Sequence, residues 1–258
     1  MDNERYLRFA KKTIESSIEL LKKSIYEDLE IEYKSKFDLF TKVDKRVEKN
    51  IVESIKENYP EHDIVTEETD LKLKGSENVW YIDPISGSTN YAHDLPFFGI
   101  SLALKYDEEI KVGVVYNSVE DEVFYAEKNG GAYRGDKRLT TSDVAEIGKA
   151  VVSTTFPYDE EGRNRNLKYF NRIAPKVEGI RRTGSVSVDL SYLSMGALDG
   201  FWALGLESWD TAAGWLLVEE SQGEVSTIEG DKYGLEKDSI LVSNEDIHRD
   251  LIESLRDR

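Results

Sequence analysis

Apolar positions along this chain keep a helical period at first and then change to that of strands. Tyr6, Phe9, Ala10, Ile14, Ile18, Leu21 and Ile25 fall three or four apart, which predicts an amphipathic helix over 3–27. Val47, Ile51, Val52 and Ile55 repeat the stripe over 44–58, where Asn58 and Pro60 end it. Short runs rich in β-branched and apolar residues at 62–66, 79–83, 98–104 and 111–117 then predict strands. Turn residues at 129–131 and 134–136 separate further strands.

Beyond about residue 140 the alternation restarts. Residues 150–154 and 200–204 read as strands, and 166–173, 187–195 and 210–221 as helices. Closing strands at 224–227 and 239–243 precede a last short helix at 245–256. No low-complexity linker and no fixed-period repeat divides the chain. The interleaving predicts one layered α/β (α+β) body over 1–258, made of two halves of about 1–140 and 141–258.

Composition narrows the classes. With 39% hydrophobic and 33% charged residues the chain is globular rather than disordered. The 34 Lys and Arg against 51 Asp and Glu leave a net charge of −17, which repels phosphate backbones, so no nucleic-acid partner is expected. The absence of Cys excludes disulfides, thiolate catalysis and zinc–cysteine sites. Residues 1–12 lack the apolar core of a signal peptide, and the longest apolar run, 97–104, is too short to span a bilayer. A soluble cytoplasmic protein with no membrane partner is the expectation.

Among so many acids a single carboxylate is ordinarily a solvated surface charge. Those at the ends of apolar strands stand apart. Trp80-Tyr81-Ile82-Asp83-Pro84-Ile85-Ser86-Gly87-Ser88 runs an aromatic strand into a carboxylate, then into a turn and a helix start with Ser88 as a good N-cap type. Turn amides there can hold an oxyanion or phosphate; equally, Asp83 can simply cap the turn. Asp63-Ile64-Val65-Thr66-Glu67-Glu68-Thr69 also ends in acids and alone reads as an exposed turn. Asp210 in Glu207-Ser208-Trp209-Asp210-Thr211-Ala212-Ala213-Gly214 and Asp44 in Asp38-Leu39-Phe40-Thr41-Lys42-Val43-Asp44 open helices, where capping is the plain explanation. Taken together the four segments offer an all-oxygen ligand set, suited to a hard cation such as Mg²⁺ and not to zinc or copper. His62, His93 and His248 are scattered without metal spacing and read as surface or packing residues.

In this order and at these intervals the segments resemble the inositol monophosphatase family of Mg²⁺-dependent, lithium-sensitive sugar-phosphate phosphatases. Gly184-Ser185-Val186-Ser187-Val188-Asp189-Leu190 and Asp199-Gly200 extend the resemblance, which runs from roughly 38 to 217. It implies an α-β-α-β-α layered sandwich, usually a homodimer, with the site between the two halves. It also implies Mg²⁺ as cofactor, two or three ions in the family. Carried over, Glu67, Asp83 and the Ile85 carbonyl would hold the first metal, and Asp83 with Asp210 the second, near the leaving group. The Gly87 and Ser88 amides would cradle the phosphate, Asp44 and Ser88 Oγ would position the attacking water with Glu67 at the catalytic centre, and Gly184, Ser185 and Val186 would line the sugar side. The implied reaction is hydrolysis of a small sugar phosphate, inositol monophosphate or fructose 1,6-bisphosphate, by metal-activated water.

Three departures qualify this. Ser86 stands where the family carries an Asp ligand of the second metal, so that site is expected to be weak and turnover reduced. Ser88 in place of Thr keeps the hydroxyl. Ala203 stands where animal members place an inositol-gripping Glu, which puts inositol selectivity in doubt and leaves Arg181 and Arg182 as groups that could meet a second phosphate. The competing expectations are a catalytically impaired pseudo-phosphatase that binds phosphorylated sugars, and a nucleotide 3′-phosphatase, for which the chain is short and shows no adenine platform.

Overall fold

The computed structural model describes residues 3–24, 30–36 and 38–256. Helix α1 (Asn3–Ser24) is followed by a hairpin of β1 (Ile31–Ser35) and β2 (Asp38–Thr41), then α2 (Lys42–Asn58), β3 (Asp63–Thr66) and β4 (Val79–Ser86). The short α3 (Ser88–Ala92) leads to β5 (Gly99–Tyr106), β6 (Glu109–Asn117), β7 (Glu122–Glu127), β8 (Gly131–Arg134) and β9 (Lys137–Arg138). The remainder comprises β10 (Val151–Thr154), α4 (Glu160–Ile173), β11 (Gly179–Arg181), α5 (Val186–Ser194), β12 (Gly200–Leu204) and α6 (Ser208–Glu220). It closes with β13 (Gly223–Ser226), β14 (Ser239–Asn244) and α7 (His248–Leu255).

Strand alternation builds the layers. In the seven-stranded sheet, ordered β3-β4-β5-β6-β7-β8-β9, Trp80, Ile82, Leu102 and Val114 face one side. There they pack on Ala10 and Ile14 of α1 and Val47 and Ile51 of α2. Tyr81, Ala103 and Val115 face the other side and meet Ala212, Ala213 and Leu216 of α6. The five-stranded sheet, β11-β10-β12-β14-β13, turns Phe201 and Val242 toward Leu190 of α5 and Val218 of α6. Its Trp202 and Leu241 pack instead with Ile173 of α4 and Leu251 of α7. Five layers, α-β-α-β-α, result, with α5 and α6 in the middle. The two central helices touch closely: a Cβ on Gly214 would lie 2.4 Å from Leu190 Cδ1.

The hairpin β1–β2 is not among the predicted elements: Ile31, Glu32, Tyr33 and Lys34 do alternate apolar and polar, but the run is short and both apolar side chains stay exposed rather than joining a core. Helix α4 starts earlier than its stripe because Asp159 caps it, accepting from the Gly162 amide at 2.8 Å. Residues 25–27 of the first predicted helix, including Ile25, lie outside the described residues. Among the described residues no helix is long and apolar enough to cross a membrane.

Candidate active site

Strand β4 does not stop at Asp83 as its pattern predicts. It runs through Pro84 to Ser86, and its pairing with β5 shifts register between Asp83 and Ser86. This local bulge redirects the strand end. Gly87 then turns the chain at φ +97°, where a Cβ would come within 2.8 Å of the Phe97 carbonyl, so only glycine fits. Gly87, not Ser88, is the N-cap of α3. Freed from capping, Ser88 Oγ reaches the Asp44 carboxylate and lies 2.9 Å from the Ile85 carbonyl.

Asp44 and Asp210 do cap their helices, but from the third helical position rather than from the cap itself. Asp44 Oδ2 accepts from the Thr41 amide at 2.9 Å and from Thr41 Oγ1 at 2.6 Å. Asp210 Oδ2 accepts from the Glu207 amide at 2.8 Å. In each case one carboxylate oxygen is spent on the helix start, which fixes the side chain's rotamer.

These elements meet around a cleft of about 500 Å³. Glu67, Asp83, Ile85, Ser86, Gly87 and Ser88 line it from one side, and Gly184, Val186 and Asp210 from the other. Two expected residues sit behind the wall instead. Asp44 is fully buried and acts on the cleft through Ser88. Ser185 caps α5 through the Val188 amide and donates to Ser86 Oγ at 3.2 Å. The Ser187 amide approaches Ser86 Oγ at 3.3 Å as well, so the hydroxyl at 86 is held by the start of α5.

The cleft floor is electrostatically unbalanced. Burial pushes the Asp83 pKa well above the usual carboxylate range, and Glu67 and Asp210 push it further. Burial and Glu67 raise Asp210 to about 7. Asp83 Oδ1 is buried without a hydrogen-bond partner, and such an orphaned acceptor is costly unless a cation or water meets it. An all-oxygen set around this atom fits a hard divalent cation. Among the described residues no three Asp, Glu or His side chains cluster to hold an ion by themselves. The proposed first set needs only two carboxylates and the Ile85 carbonyl, and a hydroxyl at 86 removes the third acid from the second.

Several residues here were given no role from sequence. Lys34 on β1 places its ammonium 2.9 Å from Glu67 Oε1 and 2.5 Å from Glu68 Oε1. Tyr158 and Glu207 line the cleft from loops between predicted elements. Buried Asp189, its pKa raised to about 8 by desolvation, accepts from Thr183 Oγ1 at 2.8 Å; that hydroxyl in turn accepts from the Ser185 amide at 3.2 Å. A buried acid thus braces the 183–185 turn.

Arg181 and Arg182 are exposed and do not line the cleft, and Arg182 lies over the Phe156 ring at 5.9 Å. Ala203 is buried in the apolar cluster that contains Val186 and Leu206. His62 Nδ1 accepts from Trp80 Nε1 at 3.0 Å, and His248 is held between Ser226 and Ser243 at 2.8 Å each, so both are packing residues. His93 is the C-cap residue of α3 and is exposed.

Comparison with known proteins agrees with this layout. Residues 2–258 match the family model described as the inositol monophosphatase family. The inositol-1-monophosphatase of Caulobacter vibrioides is 34% identical over 235 residues, covering 89% of this chain and 91% of that protein. The Nus factor SuhB of Pseudomonas aeruginosa is 34% identical over 258 residues, covering 97% and 95%. The crystal structure of the extragenic suppressor protein SuhB from Bartonella henselae superposes with a TM-score of 0.92 at 31% identity, covering 98% of each chain.

Proposed function

The chain belongs to the inositol monophosphatase family, and from that premise we propose that it is a Mg²⁺-dependent phosphomonoesterase acting on small sugar phosphates. Inositol monophosphate and fructose 1,6-bisphosphate are the leading candidates. The observation that carries this reading is Asp83, a buried carboxylate with an orphaned oxygen, facing Glu67 and Asp210 across a cleft floor.

Glu67, Asp83 and the Ile85 carbonyl would hold the first Mg²⁺, and Asp83 with Asp210 the second. When bound, the ions lower the pKa of the attacking water and offset charge on the phosphoryl and leaving oxygens. The Gly87 and Ser88 amides, at a helix start where N–H groups lack intrahelical partners, receive the phosphate. Ser88 Oγ orients the water, and its partner Asp44, its carboxyl pKa raised by burial, accepts a proton through that hydroxyl. Asp210 stands at the leaving-group end, with Gly184 and Val186 beside it and Ser185 supporting them from behind. The cleft lies between halves of about 1–140 and 141–258, in a cytoplasmic homodimer inhibited by lithium.

One observation favours a second reading. The neutral Ser86 at an expected ligand position suits a protein that binds phosphorylated sugars and turns them over poorly. Phosphate release in Mg²⁺ from inositol 1-phosphate, fructose 1,6-bisphosphate and adenosine 3′,5′-bisphosphate separates the readings. Release from a sugar phosphate supports the enzyme. Binding of a sugar phosphate without release supports the second reading, and release from the nucleotide alone overturns both.

A further inference from the structure

The half of the cleft beyond the catalytic carboxylates has a distinctive chemistry. Loop 155–159 and loop 205–207 form its walls, giving apolar faces from Phe156, Pro157 and Leu206 and polar groups from Tyr158, Asp159 and Glu207. Glu207 is exposed and makes no ion pair among the described residues. Its position is set by the α6 start, where its amide donates to Asp210 Oδ2 at 2.8 Å and its side chain completes the capping box toward the Asp210 amide, leaving its second carboxylate oxygen to the cleft. Tyr158 is 55% exposed, and the field of Asp38, Asp210, Glu67 and Asp83 adds to burial in raising its phenol pKa. Tyr158 and Glu207 thus line the same cleft as Glu67, Asp83 and Asp210.

Charge decides what this half accepts. Among the described residues Lys34 is the sole Lys or Arg lining the cleft, and it is already committed to Glu67 and Glu68. An anionic group on the leaving alcohol would meet Glu207 and Asp159 with no uncommitted Lys or Arg in the cleft lining among the described residues. A hydroxyl would find a carboxylate acceptor and a phenol able to donate or accept. We propose that Glu207 and Tyr158 form the specificity-determining pair that reads leaving-group hydroxyls, and that Glu207 repels a second phosphate there. This rests on the phosphatase reading above.

The test compares kcat/KM of the full chain, Glu207→Gln, Tyr158→Phe and the double variant on three substrates. They are inositol 1-phosphate, fructose 1,6-bisphosphate and p-nitrophenyl phosphate, whose leaving group has no sugar hydroxyls. Losing a charged hydrogen-bond partner should lower the ratio of inositol 1-phosphate to p-nitrophenyl phosphate about tenfold in Glu207→Gln, chiefly through KM. The same change should raise fructose 1,6-bisphosphate relative to inositol 1-phosphate. Unchanged ratios would overturn the assignment, as would a uniform fall on all three substrates. If the parent chain hydrolyses none of them, the phosphatase reading fails, and the pair is judged by calorimetric binding of inositol 1-phosphate. A weaker affinity in Glu207→Gln then upholds it, and equal affinity overturns it.

Discussion

The ammonium of Lys34 lies 2.9 Å from Glu67 Oε1, so a side chain of the β1–β2 hairpin is paired with the proposed first metal ligand. Burial works against the Lys34 charge, but Glu67 and Glu68 outweigh it and raise its pKa. A cation arriving at Glu67 must compete with this pair. Lys34→Met should therefore lower the Mg²⁺ concentration needed for half-maximal stabilisation. In EDTA the same variant should be less stable by about 1–2 kcal/mol, since a half-buried carboxylate loses its partner. Thermal unfolding across a Mg²⁺ titration reads both effects, and an unchanged Mg²⁺ midpoint would count against the competition.

Asp83 has the opposite balance. Its charge is buried, repelled by Glu67 and Asp210, and short of one hydrogen-bond partner. Asp83→Asn should raise stability in EDTA by about 1–3 kcal/mol while cutting turnover at least ~100-fold. Glu67→Gln should also abolish turnover. Paired denaturation and phosphate-release assays check this, and near-parental activity in either variant at saturating Mg²⁺ would refute the ligand assignment.

Ser86 offers a gain-of-function test. Its hydroxyl is held by Ser185 Oγ at 3.2 Å and by the Ser187 amide at 3.3 Å, two donors that a carboxylate can equally accept. Ser86→Asp restores a third acid beside Asp83 and Asp210, at the cost of the hydrogen bond that the Ser86 hydroxyl gives Asp83. Turnover should rise by roughly 10²-fold, with a lower Mg²⁺ requirement and a second ion detectable by calorimetry. Equal rates and equal stoichiometry in the two forms would show that position 86 contributes nothing to cation binding.

His248 governs acid stability away from the cleft. Burial lowers its pKa from 6.5 to about 4, while its two ring nitrogens face Ser226 and Ser243 at 2.8 Å. Between those two values the unfolded chain binds more protons than the folded one. The contribution is therefore complete above the unfolded pKa and is lost as pH falls through the folded one. Across that window wild type should lose roughly 2–3 kcal/mol relative to His248→Gln. Urea denaturation of both forms over the window measures it, and parallel pH profiles would refute the role.

Much of the layered fold was legible because layers are built from periodicity. The stripe of α1 and the alternation of Trp80, Tyr81 and Ile82 are local consequences of which faces must leave water. The carboxylates of the site were legible for another reason. Asp210 and Glu67 stand at or beside element ends and Asp83 stands just before the bend at 84–87, and such places are marked by turn and cap residues in the chain itself.

Roles within those ends were not local. The residue type of Ser88 predicts an N-cap, yet the positive φ of Gly87 and the approach of Phe97 hand the cap to Gly87 and turn Ser88 toward Asp44. Lys34 lies on a short, exposed strand, and its meeting with Glu67 spans thirty-three positions of sequence. Tyr158 and Glu207 come from separate loops that follow β10 and β12, and they become neighbours only once those strands pair in parallel in the five-stranded sheet. Sequence by itself determined which segments turn helical or extended and where acids end them, because those preferences act between near neighbours. Tertiary structure alone decided which acids share one cleft and which side chains face them, because burial and Coulomb interaction depend on distance in space rather than along the chain.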